Sequence, residues 1–374
     1  MPPKRIPVPE FVGGTNVFRS PQFSDQRSIN IFPESTGGLG GKVAKGFRPA
    51  EGIQPLVYVA GASTTSAMFY QDDRAFAACG EVFIEFFEDG TYEQRGVLAD
   101  DGTPASIASN GSAGNQVAIA SGKNLYIYNL SLNTFVEQDV DGQEIAMVEY
   151  VDGYFLALVH NSRRYYYSAI NDGTSWAALD YIERNWGSDN IAFLIRSGRQ
   201  IWIVGTATTE IHADSGNANV PFAPIQGAFV DMGSYSAWTA KRDGDTITWL
   251  SQDERGGGMV VRATGYSPSQ ITTYGVAPFI QSTANDLLRA EAFVHQIDGH
   301  TFYWLYIPGM DTTLVYDFSE SAWAERALWD QANGIWEPHI ARCHCYAWGR
   351  HFVGARDSGM LYEMSSSFTE DILT

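Results

Sequence analysis

A recurring turn signal restricts the fold of this chain more than any other feature. Asp-Gly dipeptides at Asp89-Gly90, Asp141-Gly142, Asp152-Gly153, Asp172-Gly173, Asp243-Gly244 and Asp298-Gly299 punctuate short apolar or alternating runs from about residue 52 onward. Asp-Gly accepts the left-handed backbone of a two-residue hairpin turn, so each such dipeptide predicts a hairpin. Alternation is plain in Leu125-Tyr-Ile-Tyr-Asn129, Ile247-Thr-Trp-Leu-Ser251 and Thr301-Phe-Tyr-Trp-Leu-Tyr306. Aromatic residues, 13% of the chain, suit half-buried pleated surfaces, and 37 glycines supply turns. The best helical stretch, Ser282 to Phe293, reads as a short connector between strands.

The hairpins group into units of roughly forty residues, the period of propeller blades. These fall near 54–98, 104–139, 144–184, 191–231, 234–275, 289–330 and 338–364. Each unit reads as a turn, an inner run, a Gly- or Asp-centred hairpin and an aromatic-rich outer run. Gln116-Val-Ala-Ile-Ala-Ser-Gly-Lys-Asn-Leu-Tyr-Ile-Tyr128 and Arg350-His-Phe-Val-Gly-Ala-Arg-Asp-Ser-Gly-Met-Leu-Tyr-Glu363 share one layout: apolar strand, polar Gly turn, second strand with Leu-Tyr. A four-stranded blade buries its faces only against neighbours, and ring closure removes the problem of open edges. The expected fold is all-β: a β-propeller of six or seven four-stranded blades over residues 51–365, the first and last units able to share one blade. A pair of β-sandwiches is the alternative.

Residues 1–50 differ in kind. Pro2, Pro3, Pro7, Pro9, Pro21, Pro33 and Pro49 and the cluster Gly37, Gly38, Gly40, Gly41 predict an extended N-terminal arm that packs along another surface, neighbouring subunits included. Ser28-Ile-Asn-Ile-Phe32 is its one strand-like stretch. Residues 366–374 read as a C-terminal tail.

A net charge of −19 repels phosphate backbones, so a broad nucleic-acid grip is not expected. The largest basic groupings are Arg163-Arg164 and the scattered Arg342, Arg350 and Arg356. Cys79, Cys343 and Cys345 form no secreted disulfide framework, the first residues show no signal-peptide core, and there is no run of about 18 apolar residues. Synthesis in a reducing cytoplasm without membrane insertion is the expectation.

Motifs of chemistry fall short one by one. Gly37-Gly-Leu-Gly-Gly-Lys42-Val43 lacks the first Gly and the hydroxyl of a P-loop, with Thr36 and Val43 in those places. In a strand, His344 points away from Cys343 and Cys345, and no second ligand pair completes a zinc site. Paired carboxylates Asp100-Asp101 and Asp253-Glu254 sit in Gly-flanked loops. Ser168-Ala-Ile-Asn-Asp-Gly-Thr-Ser-Trp176 resembles the Asp-box of sialidases and Phe47-Arg48-Pro49 their arginine motif, but Gly173 follows Asp172 at once and the box occurs once. No catalytic, cofactor-binding or metal-binding residues are assigned, and the chain is not expected to be an enzyme.

Four segments follow one another along the chain: Asp25-Gln-Arg-Ser-Ile-Asn30-Ile-Phe-Pro33-Glu34; Val151-Asp-Gly-Tyr-Phe155 with Tyr167 to Trp176; Ile201-Trp-Ile-Val-Gly205-Thr-Ala-Thr-Thr-Glu210-Ile; and Leu314-Val-Tyr316-Asp317 with Trp323-Ala-Glu-Arg326. Together they resemble the phage packaged-DNA stabilisation family, the tail-hub or nozzle proteins of short-tailed bacteriophages. Relatives commonly carry a further β domain, whereas ten residues follow Met364 here. The resemblance implies a virion protein forming a homo-oligomeric, hexameric ring below the portal and its adaptor. Such a ring extends the DNA channel without gripping DNA, helps retain the packaged genome, and docks tail fibres or spikes. A carbohydrate- or receptor-binding propeller, marked by exposed Trp platforms, and a glycosidase, marked by arginines and carboxylates at the propeller axis, are the other readings.

Overall fold

The computed structural model describes residues 12–17, 25–35, 45–217, 220–252, 258–282 and 286–373. Seven antiparallel sheets form a ring of blades: blade 1 (65–97), blade 2 (106–138), blade 3 (145–183), blade 4 (191–230), blade 5 (241–270), blade 6 (291–338) and blade 7 (341–365 with 52–58). The first strand of every blade touches the first strand of the next around the whole circle, which makes these strands the inner wall.

Strand order follows chain order in blades 1 to 6, so hairpins do most of the connecting. At Asp152-Gly153 and Asp298-Gly299 both residues have positive φ (47° and 93°, 51° and 82°), the backbone of a type I′ turn. Asp89-Gly90, Asp172-Gly173 and Asp243-Gly244 also link successive strands of one blade, but Asp141-Gly142 joins blade 2 to blade 3. The second strands, such as Gln116–Ser121 and Gln200–Gly205, are buried almost throughout because neighbouring blades cover both faces. The aromatic-rich run lies in the third strand, as in Asn124–Asn129 and Arg164–Tyr167, and is buried. The outermost strands, such as Tyr92–Val97 and Thr134–Gln138, are largely exposed and polar. The expected aromatic outer run is thus displaced inward, since rings pack best between two sheets.

The core is a set of apolar layers between successive blades: Ala67 and Val117 between blades 1 and 2, Val353 and Trp304 between 7 and 6, Phe352 and Phe86 between 7 and 1. The stretch expected to open the first unit leaves it to complete blade 7. Gly52–Tyr58 pairs with Met360–Ser365, with Ile53 opposite Met364, and the first and last units do share a blade. The tail reinforces this seam: Gly52 N–H donates to Phe368 O (3.2 Å) and Ile372 N–H to Ile53 O (2.8 Å). Within 282–293 the described residues form a 3-10 turn, Leu287–Arg289, and then the start of a strand at Glu291 rather than a helix.

The described part of the arm is extended but lies on its own propeller. Ile29 forms a parallel bridge with Glu325 on the outer edge of blade 6. The Asn30 side chain completes the pairing, donating to Ala327 O (2.8 Å) and accepting from Ala327 N–H (3.0 Å). Strands Ile31–Ser35 and Lys45–Pro49 form a hairpin that buries Phe32 against Phe302, ring centres 4.7 Å apart. Among the described residues blade 6 alone gains a fifth strand, Ile335–Pro338, which sets Trp336 opposite the exposed Trp329. The Gly37–Val43 segment, the prolines at 2, 3, 7, 9 and 21, and Asp253-Glu254 lie outside the described residues.

Candidate functional site at the propeller axis

Two adjoining cavities, of about 360 and 430 Å³, occupy the axis and share Pro104, Trp238, Glu291 and Arg342 in their walls. Their chemistry centres on Glu291. Arg342 grips it with two bonds (2.7 and 2.9 Å), and Arg356 adds a third (2.7 Å). Arg342 also donates to the Thr64 hydroxyl (2.7 Å) and Gly102 O (3.1 Å), tying blades 6 and 7 to the links that enter blades 1 and 2. The Arg356 guanidinium lies 3.4 Å from the centre of the Tyr306 ring. Burial pushes the Glu291 carboxyl up, but Arg342 and then Arg356 outweigh it and hold it below its ordinary value. Arg342 and Arg356, scattered in sequence, therefore meet in space, while Arg350 pairs separately with Glu363.

Arginines and a carboxylate at the axis are the features expected of a glycosidase. Glycoside hydrolysis uses two carboxyl groups, one kept protonated as the acid. The cluster holds Glu291 ionised and saturated. The other carboxylate of the first cavity, Glu149, accepts from the backbone N–H of Tyr150 (3.0 Å) and Arg196 (3.2 Å). The environment of Glu291 lowers its carboxyl, the opposite of what a general acid needs.

Glu210 is a buried structural anchor. Its Oε1 accepts from the N–H groups of Trp186 (2.7 Å) and Gly187 (3.1 Å) and faces Arg184 Nε (3.4 Å). Its Oε2 faces His212 Nε2 (3.2 Å), and His212 Nδ1 in turn meets the Tyr165 hydroxyl (3.1 Å). With Nε2 donating to the carboxylate, Nδ1 is left to accept from Tyr165. Burial pushes the Glu210 carboxyl up, yet these donors bring it down to about 2. The network fastens the link between blades 3 and 4.

Cys343 and Cys345 are buried, and burial raises the thiols, Cys343 to about 12. His344 Nε2 instead meets His351 Nδ1 at 3.0 Å. Among the described residues no three His, Cys, Asp or Glu side chains are arranged to hold a metal. Asp172 caps its own turn, accepting from Thr174 N–H (3.0 Å) and hydroxyl (2.6 Å), and Trp176 Nε1 donates to Gly173 O (2.7 Å). Asp100 and Asp101 likewise accept from Gly102 and Thr103 N–H groups within their loop.

With ring and axis described, comparison with known proteins becomes informative. The family described as "Bacteriophage P22 Gp10, beta-propeller" matches residues 4–369. The chain belongs to that family. As a Gp10-type propeller it is a bacteriophage structural protein and a virion component. Of the four motifs that carried the resemblance, one falls on the first-to-second and third-to-fourth links of blade 3, one on the second-to-third turn of blade 4 and one on the third-to-fourth hairpin of blade 6, and the fourth lies in the docked arm. No curated protein sequence matches the chain. Solved structures similar in fold include virginiamycin B lyase from Staphylococcus aureus, 11% identical with a TM-score of 0.56 over 84% of this chain and 99% of that one. YCF48 from Cyanidioschyzon merolae is 11% identical, with a TM-score of 0.52 over 85% of this chain and 100% of that one. At such identities the likeness is one of architecture. No helix among the described residues is long and apolar enough to cross a membrane.

Proposed function

We propose that this Gp10-type propeller is a tail hub or nozzle subunit: a non-enzymatic component of a hexameric ring below the portal and adaptor. That ring prolongs the DNA channel, helps to retain the packaged genome and carries tail appendages. Family membership over nearly the whole chain is the observation that carries this reading. Two physical features support it. A propeller is a rigid disc whose sides suit ring packing, and closed cyclic assemblies are a common solution for identical subunits. The axis of one propeller is filled by side chains around Glu291 and Arg342, leaving only the small cavities described above. Duplex DNA, whose major groove alone is about 12 Å wide, cannot thread it. The conduit is therefore the lumen between copies, and a charge of −19 per copy gives that lumen a negative field that discourages adhesion.

An amber codon placed in the gene of its phage tests the proposal. Particles made without the protein should fill with DNA, lose it on storage and lack the distal tail in electron micrographs, and purified protein should restore them. Stable, infectious particles without the protein would remove the reading.

A further inference from the structure

The chain is strongly acidic, yet the smaller axial cavity gathers cations. Arg196 of blade 4, Lys241 and Arg242 of blade 5 and Arg342 of blade 7 line it, against Glu149 of blade 3 and Glu291 of blade 6. Glu291 is already held by Arg342 and Arg356, and Glu149 by backbone N–H groups. Arg242 is exposed and bonds Arg196 O (3.3 Å). Arg196 reaches Tyr150 O (3.4 Å), while its buried Nε has no partner. Half-buried Lys241 makes no ion pair or hydrogen bond through its amine with another described residue. An enclosed ammonium without a partner is costly, and its burial pulls the amine's protonation down despite the more distant Glu291 and Glu149.

The remaining walls fit an organic body rather than a bare ion. The Trp238 indole lines both cavities, and Ser66 and Ser106 add hydroxyls to the smaller one. Its volume of about 360 Å³ lies at the lower end of small-molecule sites, roughly 300–1,000 Å³. We propose that this cavity binds a small organic anion, a carboxylate or phosphate monoester built on a ring the size of one sugar. Lys241 holds the anionic group, with Arg196 in the same wall, and Trp238 walls the ring. The site is independent of the tail-hub reading, since it lies within one propeller.

Calorimetry with glucuronate, glucose phosphate and neutral glucose tests it on the full chain. Both anions should bind, glucose should not, and Lys241→Met should weaken the anions at least about tenfold, while Lys241→Arg keeps most of the affinity. Labelling the unmutated protein supplies a second readout. Pyridoxal phosphate condenses with an amine, releasing water, and borohydride reduces the imine to a stable secondary amine. The chain has five lysines, Lys4, Lys42, Lys45, Lys123 and Lys241, so peptide mapping is unambiguous. Labelling should concentrate on Lys241 and be blocked by glucose phosphate. Equal binding of glucose, unchanged affinity in Lys241→Met, or label spread evenly and indifferent to the competitor would each overturn the proposal. The two anions separate its sources: preference for glucose phosphate assigns a phosphate ester, and preference for glucuronate a carboxylate.

Discussion

Ile53 lies directly opposite Met364 on adjacent antiparallel strands, and both side chains are buried between blades 6 and 7. Residues near the two ends of the propeller thus share one sheet. Ile53→Ala or Met364→Ala should cost about 2–5 kcal/mol, the range for a large apolar side chain cut back in a core. Deleting residues 360–365 should prevent folding, because blade 7 then has no third strand to receive Gly52–Tyr58. A deletion variant with the parent's melting profile would show that the ring does not depend on this seam.

Arg27 binds the buried Glu325 carboxylate through Nε (3.1 Å) and Nη2 (2.5 Å), and Thr15 and Thr312 add hydroxyl donors (3.0 and 2.7 Å). Removing the arginine leaves a buried carboxylate with hydroxyl donors alone. Arg27→Ala should cost about 2–3 kcal/mol, below the 3–5 of a fully buried pair because Arg27 is partly exposed. Deleting residues 1–35 should therefore destabilise the propeller itself, whatever it does to assembly. In Arg27→Ala, adding Glu325→Gln should recover part of the loss in denaturant titrations; an unchanged midpoint would mean the pair is not coupled.

Glu210 and Asp371 are both held at about 2. In each, burial pushes the carboxyl up and is outweighed by donors: His212 and the Gly187 and Trp186 N–H groups for Glu210, His339 and Arg326 for Asp371. A folded value below the unfolded one, about 4.3 for Glu and 3.9 for Asp, means that the stabilisation is complete above those values. It is lost as pH falls toward 2. Glu210→Gln should cost about 1–3 kcal/mol at neutral pH and flatten this acid limb. Parallel acid limbs in parent and variant would argue against the assignment.

Three histidines pack together between blades 6 and 7: His344 and His351 with ring centres 5.3 Å apart, and His295 at 5.6 and 6.1 Å from them. Neither ring nitrogen of His295 has a partner. Burial, then the neighbouring imidazoles, push His295 well down and His344 to about 3, and burial also lowers His351. Arg48 and Arg326 reinforce the effect on His295, while Asp298 opposes it at His351. The unfolded chain takes up these protons near pH 6.5 and the folded one does not, so stability should begin to fall below about 6.5. Imidazole resonances of His295 and His344 should stay fixed between about pH 8 and 5. Titration of either in that interval would contradict a neutral buried cluster.

Affinity for duplex DNA should be weak. Arg163 donates to Arg184 O (2.7 Å) and Arg164 pairs with Glu183 (2.9 Å), so this adjacent arginine pair is engaged. Anisotropy should give a Kd no tighter than about 10⁻⁶ M at physiological salt. A sub-micromolar complex surviving that salt would point to a DNA-gripping role.

The blade rhythm was legible because local turn chemistry and alternation repeat at every hairpin. Gln116 to Tyr128 and Arg350 to Glu363, matched by layout alone, do fall on the second and third strands of blades 2 and 7. The axial cluster was not legible. Glu291 and Arg342 lie near the start of the first strands of blades 6 and 7, Arg356 follows the second strand of blade 7, and only the stacking of the two blades brings them together. The seat of the described arm residues was hidden for a related reason: Thr15, Arg27 and Asn30 look like solvated polar residues until Glu325 and the Ala327 backbone lie beside them. The orientation of Lys241 rests on alternation in a three-residue strand, too short to read from sequence.

The additions to blade 6 mark one sector of an otherwise repetitive disc. Elsewhere among the described residues the rim is formed by a blade's fourth strand alone. On blade 6 the parallel arm occupies the edge beside Glu325, and the Trp329–Trp336 extension projects past it. The disc is keyed: whatever reads its circumference finds one tooth among seven sectors, and can seat the subunit in a single rotational setting.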